Sequence, residues 1–130
     1  MRNAITAAGA AVVGPYSQAV EVDGFLYLSG QTPQDPGTGQ LLEGPIGAQT
    51  AQCFKNLFAV LSAAGVSADE VINCSVYLTD MSDFQAMNEV YAQQFKPPYP
   101  ARTTIGVASL PLGARIEIGL IAKRRRQEPV

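Results

Sequence analysis

The 130-residue chain contains no histidine and no tryptophan, and only two cysteines, Cys53 and Cys74. Without an imidazole, every mechanism that uses histidine as general base is excluded, Ser-His-Asp and Cys-His nucleophilic catalysis included. Most zinc sites go too, because the two thiols have no third or fourth soft ligand. Charge is scarce: charged residues are 15% of the chain, against about 25% in an ordinary globular domain. Apolar residues reach 47%. Burial of part of the surface against another copy of the chain accounts for the shortfall of charge. No apolar run approaches the ~18 residues of a membrane span, and no signal-like stretch opens the chain. Two cysteines without a framework pattern fit a reducing compartment. The expectation is a single cytoplasmic domain over residues 1–130.

The charge that is present is unevenly placed. Residues 1–122 carry five basic and ten acidic side chains, a balance of −5. Residues 123–130 carry Lys123, Arg124, Arg125 and Arg126 against Glu128, a balance of +3. An acidic body argues against nucleic acid as a partner, and the basic run reads as a solvated tail.

Two apolar-alternating runs, Gln18–Val22 and Phe25–Ser29, flank Asp23-Gly24, a strong hairpin signal. A Pro/Gly-rich stretch from Gly30 to about Gly47 follows, long enough to suggest a functional loop. Thr50–Ala64 has helical spacing at Phe54, Leu57, Phe58 and Leu61, with Gly65 as C-terminal cap. Val71–Leu78 alternates as a strand, with Ile72, Cys74, Val76 and Leu78 on one face. Ser82 with Gln85 has capping-box spacing, and Phe84, Met87, Tyr91 and Phe95 form the stripe of a second helix that Pro97-Pro98 stops. Arg102 to about Ser109 and Ala114–Ala122 read as a second hairpin around Leu110–Gly113. The sum is an α+β domain, a mixed sheet with two helices on one face. The other face is expected to hold Asn73, Ser75, Tyr77, Arg115 and Glu117, with Arg102 and Thr104 alongside. That set is too neutral for open solvent and too polar for a core, which suits a subunit interface with clefts.

Arg102 enters a strand and carries a fork matched to a carboxylate or phosphate. Glu117 is a lone acid among Ile, Ala and Leu, where desolvation raises a carboxyl pKa toward a catalytic range. The two also admit a plainer reading, an interface salt bridge. Gly14–Gln18 and Leu28–Pro33 are small-polar segments at strand ends. N–H groups near Ser29 and Gly30 either receive an anion or serve ordinary turn chemistry. Both cysteines read as small core residues.

Taken together, Gly14-Pro-Tyr-Ser-Gln-Ala19, Leu28-Ser-Gly-Gln31, Pro100-Ala-Arg102 and Arg115-Ile-Glu-Ile118 resemble the Rid family of reactive-intermediate deaminases, also called YjgF or liver perchloric-acid-soluble protein. The resemblance covers essentially the whole chain. It implies a chorismate-mutase-like fold assembled as a homotrimer around a central barrel, with clefts between subunits. It implies small 2-imino and 2-keto acids as ligands, and hydrolysis of 2-iminobutanoate and 2-iminopropanoate to keto acids and ammonia. No metal or organic cofactor is required. Endoribonuclease activity or a non-catalytic ligand-binding trimer are the alternatives. The resemblance places the carboxylate-binding arginine at Arg102 and the water-activating glutamate at Glu117. Tyr16, Ser29, Gly30 and Asn88 fall on its other cleft positions, Asn88 at the neighbouring subunit's site. Thr104 stands where many members carry cysteine, so a thiol is not essential to the implied chemistry.

Overall fold

The computed structural model describes residues 1–7 and 14–125. Among these residues six strands form one sheet: β1 (Asn3–Ile5), β2 (Ala19–Val22), β3 (Phe25–Gln31), β4 (Val71–Leu78), β5 (Ala101–Gly106) and β6 (Ile116–Lys123). Helices α1 (Ile46–Ala63) and α2 (Phe84–Gln93) pack against each other, and α1 packs against β3 and β6. The strand order is β1-β2-β3-β6-β4-β5.

The β2–β3 hairpin turns at Asp23 and Gly24, with φ of 54° and 80°. These are the two left-handed positions a type I′ turn demands, and they match the twist of the flanking strands. Helix α1 begins a turn earlier than Thr50, at Ile46 after Pro45. Ile46 is buried, while Gln49 and Thr50 enter the interior by bonding back to Gly44 O and Ile46 O. Polar residues with local partners hid that turn from an apolar periodicity. Gly65, φ 72°, closes the helix as expected.

The two final strands are not a hairpin. β5 pairs in parallel with β4, in register Cys74↔Arg102 and Val76↔Thr104, while β6 pairs antiparallel with both β4 and β3. Helix α2 is the crossover that returns the chain parallel to β4. β6 then takes the place between β3 and β4, where Ile116, Ile118, Leu120 and Ala122 are buried against the helices. A register shift between Val71 and Asn73 turns Ile72 outward, 43% exposed, and gives its expected core position to Val71. Ser82 is not the helix cap. Its N–H and hydroxyl both donate to Asp80 Oδ1, and a 3₁₀ turn at Met81–Asp83 leads into α2, which ends at Gln93 before the prolines.

Around Phe54 at the centre of the core stand Phe58, Tyr91 and Phe95, with ring centroids 5.5–5.6 Å away. The expected basic tail is partly built in. Lys123 Nζ donates to Asp23 O and sits 4.8 Å over the Phe25 ring. Arg124 forms a forked pair with Glu21, and the Arg125 N–H donates to Glu70. Arg126 lies outside the described residues. Among the described residues no helix is long and apolar enough to cross a membrane.

Candidate active site

Glu117 projects from the face of β6 that the helices leave open, opposite Tyr77 of β4. Its carboxyl lies directly over Gly30, where β3 is irregular between Leu28 and Gln31. A Cβ at Gly30 would stand 2.6 Å from Glu117 Oε2 and 2.9 Å from its Cδ. Only glycine lets the carboxyl come down onto the strand. Burial pushes the Glu117 pKa above the ordinary glutamate range. No cation among the described residues offsets that cost, so the group holds protons more readily than a surface acid.

A cavity of about 360 Å³ opens over this carboxyl, lined by Tyr16, Ser29, Gly30, Gln34, Leu112 and Glu117 among others. Four residues singled out in the sequence thus share one cleft. Ser29 spends its donors inside the chain: its N–H donates to Gln18 O and its hydroxyl to Ser17 O at 2.6 Å. It fixes the Tyr16 segment against β3, and those groups are not the free anion donors the turn suggested. The far wall comes from the Pro111–Gly113 turn, where Leu112 is 58% exposed and held at φ 63°, a left-handed conformation unusual for leucine.

Sequence reasoning missed the residue that fixes the loop beyond Gly30. Asn56, buried on α1, donates from Nδ2 to Gln34 O at 2.9 Å and to Thr32 O at 3.4 Å, and accepts from Gln52 Nε2. The helix thereby pins the loop backbone that edges the cavity. A polar residue facing inward from an apolar helix stripe was the available signal.

Arg102 and Thr104 are elsewhere. Their register with Cys74 and Val76 puts them on the helix-covered face, not beside Glu117 as expected. The Arg102 guanidinium donates from Nη1 to Asn88 Oδ1 at 2.7 Å, and its central carbon lies 4.6 Å from the Tyr91 ring centroid and 5.6 Å from that of Phe84. Asn88 therefore stands beside Arg102 of its own chain. Thr104 Oγ1 is buried without a hydrogen-bond partner among the described residues. Arg115, expected beside Glu117, forks instead onto Asp83 at 3.0 and 3.1 Å and reaches Gly44 O, tying together the segments that lead into both helices. Cys53 and Cys74 are buried and unbridged; burial raises both thiols, Cys74 to about 11. No metal-holding group of three or more Cys, Asp or Glu occurs among the described residues.

Between Arg102 and Glu117 lies β4. By register, Arg102 aligns with Cys74 and Leu120, so the two are two strand spacings apart, about 10 Å, and three residues apart along the strands, about another 10 Å. They also point to opposite faces. No small acid can touch both within one chain.

The model of the endoribonuclease L-PSP family matches residues 5–124. A RutC family protein of Pyrococcus horikoshii is 49% identical over 110 residues, 85% of this chain and 87% of its own. The human 2-iminobutanoate/2-iminopropanoate deaminase is 45% identical over 117 residues, 90% of this chain and 85% of its own. Among solved structures, RidA from the Antarctic bacterium Psychrobacter sp. PAMC 21119 superposes with TM-score 0.89 at 46% identity, covering 94% of this chain and 99% of that one. E. coli TdcF with bound serine gives 0.88 at 35% identity, over 95% and 99%. The chain belongs to the Rid family, whose matching model is the one described as endoribonuclease L-PSP.

Proposed function

We propose that the protein hydrolyses small 2-imino acids, 2-iminobutanoate and 2-iminopropanoate, to 2-keto acids and ammonia. The observation that carries this reading is the Glu117 carboxyl, desolvated over Gly30 at the floor of a small cleft and without a paired cation among the described residues. Relatives named for this activity at 45% identity support it. An iminium carbon is already electrophilic, so no covalent nucleophile is needed. Glu117 takes a proton from water as its oxygen bonds to the C=N carbon, giving a 2-amino-2-hydroxy acid. Glu117 then gives that proton to the nitrogen and takes the hydroxyl proton, the C–N bond breaks, and ammonia leaves as the carbonyl forms. Such acid–base help is worth about 10²–10⁴-fold.

The substrate carboxylate requires a cation, and the half-buried Arg102 forms no salt bridge among the described residues, whereas Arg115 and Arg124 are each paired with an acid. Its distance from Glu117 within one chain supports a site assembled from two copies, Arg102 of one over the Glu117 cleft of another, in a homotrimer. The low charge content and the exposed Tyr27 and Ile105 on the open sheet face fit burial of that face. The test supplies 2-iminobutanoate from a threonine dehydratase and follows 2-oxobutanoate. The wild type accelerates its release and Arg102→Ala does not. A wild type without acceleration overturns the proposal.

The family description favours a second reading, cleavage of RNA. Binding driven by phosphate contacts weakens steeply with salt, and a body of −5 gives RNA little attraction. Salt-sensitive RNA binding with cleavage that is lost in Glu117→Gln would favour it over the deaminase reading.

A further inference from the structure

The proposed function asks Arg102 to receive a carboxylate, but it does not explain why everything that holds the guanidinium is neutral. Phe84, Asn88 and Tyr91, at i, i+4 and i+7, present two ring faces and one amide oxygen from a single side of α2. Arg115 and Arg124, by contrast, are each matched to a carboxylate, Asp83 and Glu21. Tyr91 is 4% exposed, and its hydroxyl, shut off from solvent, has the Cys74 thiol as polar neighbour. Burial keeps both of those groups protonated at neutral pH. Among the described residues no carboxylate lies within salt-bridge distance of Arg102.

We propose that Asn88 and Tyr91 are positioning residues that hold the Arg102 guanidinium in a charge-neutral cradle, fixing its plane while leaving its whole charge for the ligand carboxylate. This rests on the deaminase reading above. An amide oxygen at 2.7 Å aims the fork as a carboxylate would, but a carboxylate would also satisfy the charge and compete with the ligand. The Tyr91 face attracts the cation without neutralising it. A guanidinium held this way loses little freedom when the ligand arrives.

Asn88→Asp separates this role from a structural one. The exchange keeps size and acceptor, and a purely structural contact to arginine would be strengthened by it. The cradle predicts the reverse: calorimetric affinity for 2-oxobutanoate falls about tenfold or more, and KM for 2-iminobutanoate rises in parallel while kcat changes little. Tyr91→Leu weakens both about 3- to 30-fold, and Tyr91→Phe, which restores the ring face, recovers them. Thermal melts confirm that each variant is folded, and Asn88→Asp decides the matter if Tyr91→Leu is not. If the wild type binds and turns over but Asn88→Asp matches it, the cradle is overturned and the deaminase reading stands. If the wild type does neither, the deaminase reading falls and the cradle falls with it.

Discussion

Replacing Gly30 by alanine tests how far the chemistry depends on the exact seat of the Glu117 carboxyl. The new Cβ would lie 2.6 Å from Oε2, 2.9 Å from Cδ and 3.1 Å from Cγ, where carbon contacts are comfortable only at about 3.5–4.0 Å. The carboxyl must therefore retreat by about 1 Å. Gly30 is not among the residues with positive φ, so alanine suits the backbone. In a closed core such overpacking costs about 1–3 kcal/mol. Here the carboxyl has the cavity of about 360 Å³ to move into, so stability should fall by no more than about 1 kcal/mol, a few degrees in melting temperature. Misplacing a reacting group by about 1 Å costs on the order of 10²-fold in rate. The dehydratase-coupled assay should give a kcat down by about that factor, with KM little changed because on the proposed assembly the substrate carboxylate is held by Arg102 of another copy. A kcat within threefold of wild type, or a KM rise at constant kcat, refutes the role given to Glu117.

Four further outcomes are expected. Because burial raises the Glu117 pKa and the base acts ionised, kcat/KM should fall on acidification along a limb displaced upward from about 4.3, the ordinary glutamate value. In Glu117→Gln that limb should vanish and kcat fall about 10²–10⁴-fold. A folded-state pKa above the unfolded one means Glu117 contributes most to stability below the unfolded value and loses that as pH rises through the folded one. Glu117→Gln should therefore melt no lower than wild type at pH 7, and a lower melting point would show that the ionised carboxylate is stabilised in the fold. Phe54→Ala, which removes the ring that three others surround, should cost about 3–5 kcal/mol in urea denaturation; a loss under about 1 kcal/mol would mean the cluster repacks. Neither thiol should react with a disulfide reagent before unfolding, since both are buried and their pKa values are raised; fast labelling of the native protein would contradict the burial.

Local chemistry was legible wherever a residue type answers a backbone demand. Asp23-Gly24 reads as a type I′ turn because few other pairs accept two positive φ values, and Gly65 marks the end of α1 for the same reason. The alternation of Ile116, Ile118, Leu120 and Ala122 names a buried face whatever the neighbours are. Strand partners were another matter. Leu110–Gly113 has the composition of a hairpin turn, but its flanking strands never pair, because composition describes the turn and not what the strands find across the sheet. The three residues of β1 carry no periodicity at all. The bulge that turns Ile72 outward is invisible to a strict two-residue repeat.

The site divides along the same line. Tyr16, Ser29, Gly30 and Glu117 meet in one cleft because β2, β3 and β6 are apolar enough on the core side to commit their remaining side chains outward. Strand β5 gives no such instruction: Ala101-Arg-Thr-Thr-Ile-Gly106 has no apolar alternation, so the face that carries Arg102 is decided by the β4–α2–β5 crossover. That placement has an electrostatic consequence. An arginine beside Glu117 in one chain would pair with it, lower its pKa and spend the guanidinium on an internal salt bridge. With β4 between them, the acid stays unpaired and basic enough to accept a proton, while the guanidinium keeps its charge under α2. On the proposed assembly the two then come together only across a subunit boundary, with the substrate between them. The sheet is what keeps the pair from neutralising itself before a ligand arrives.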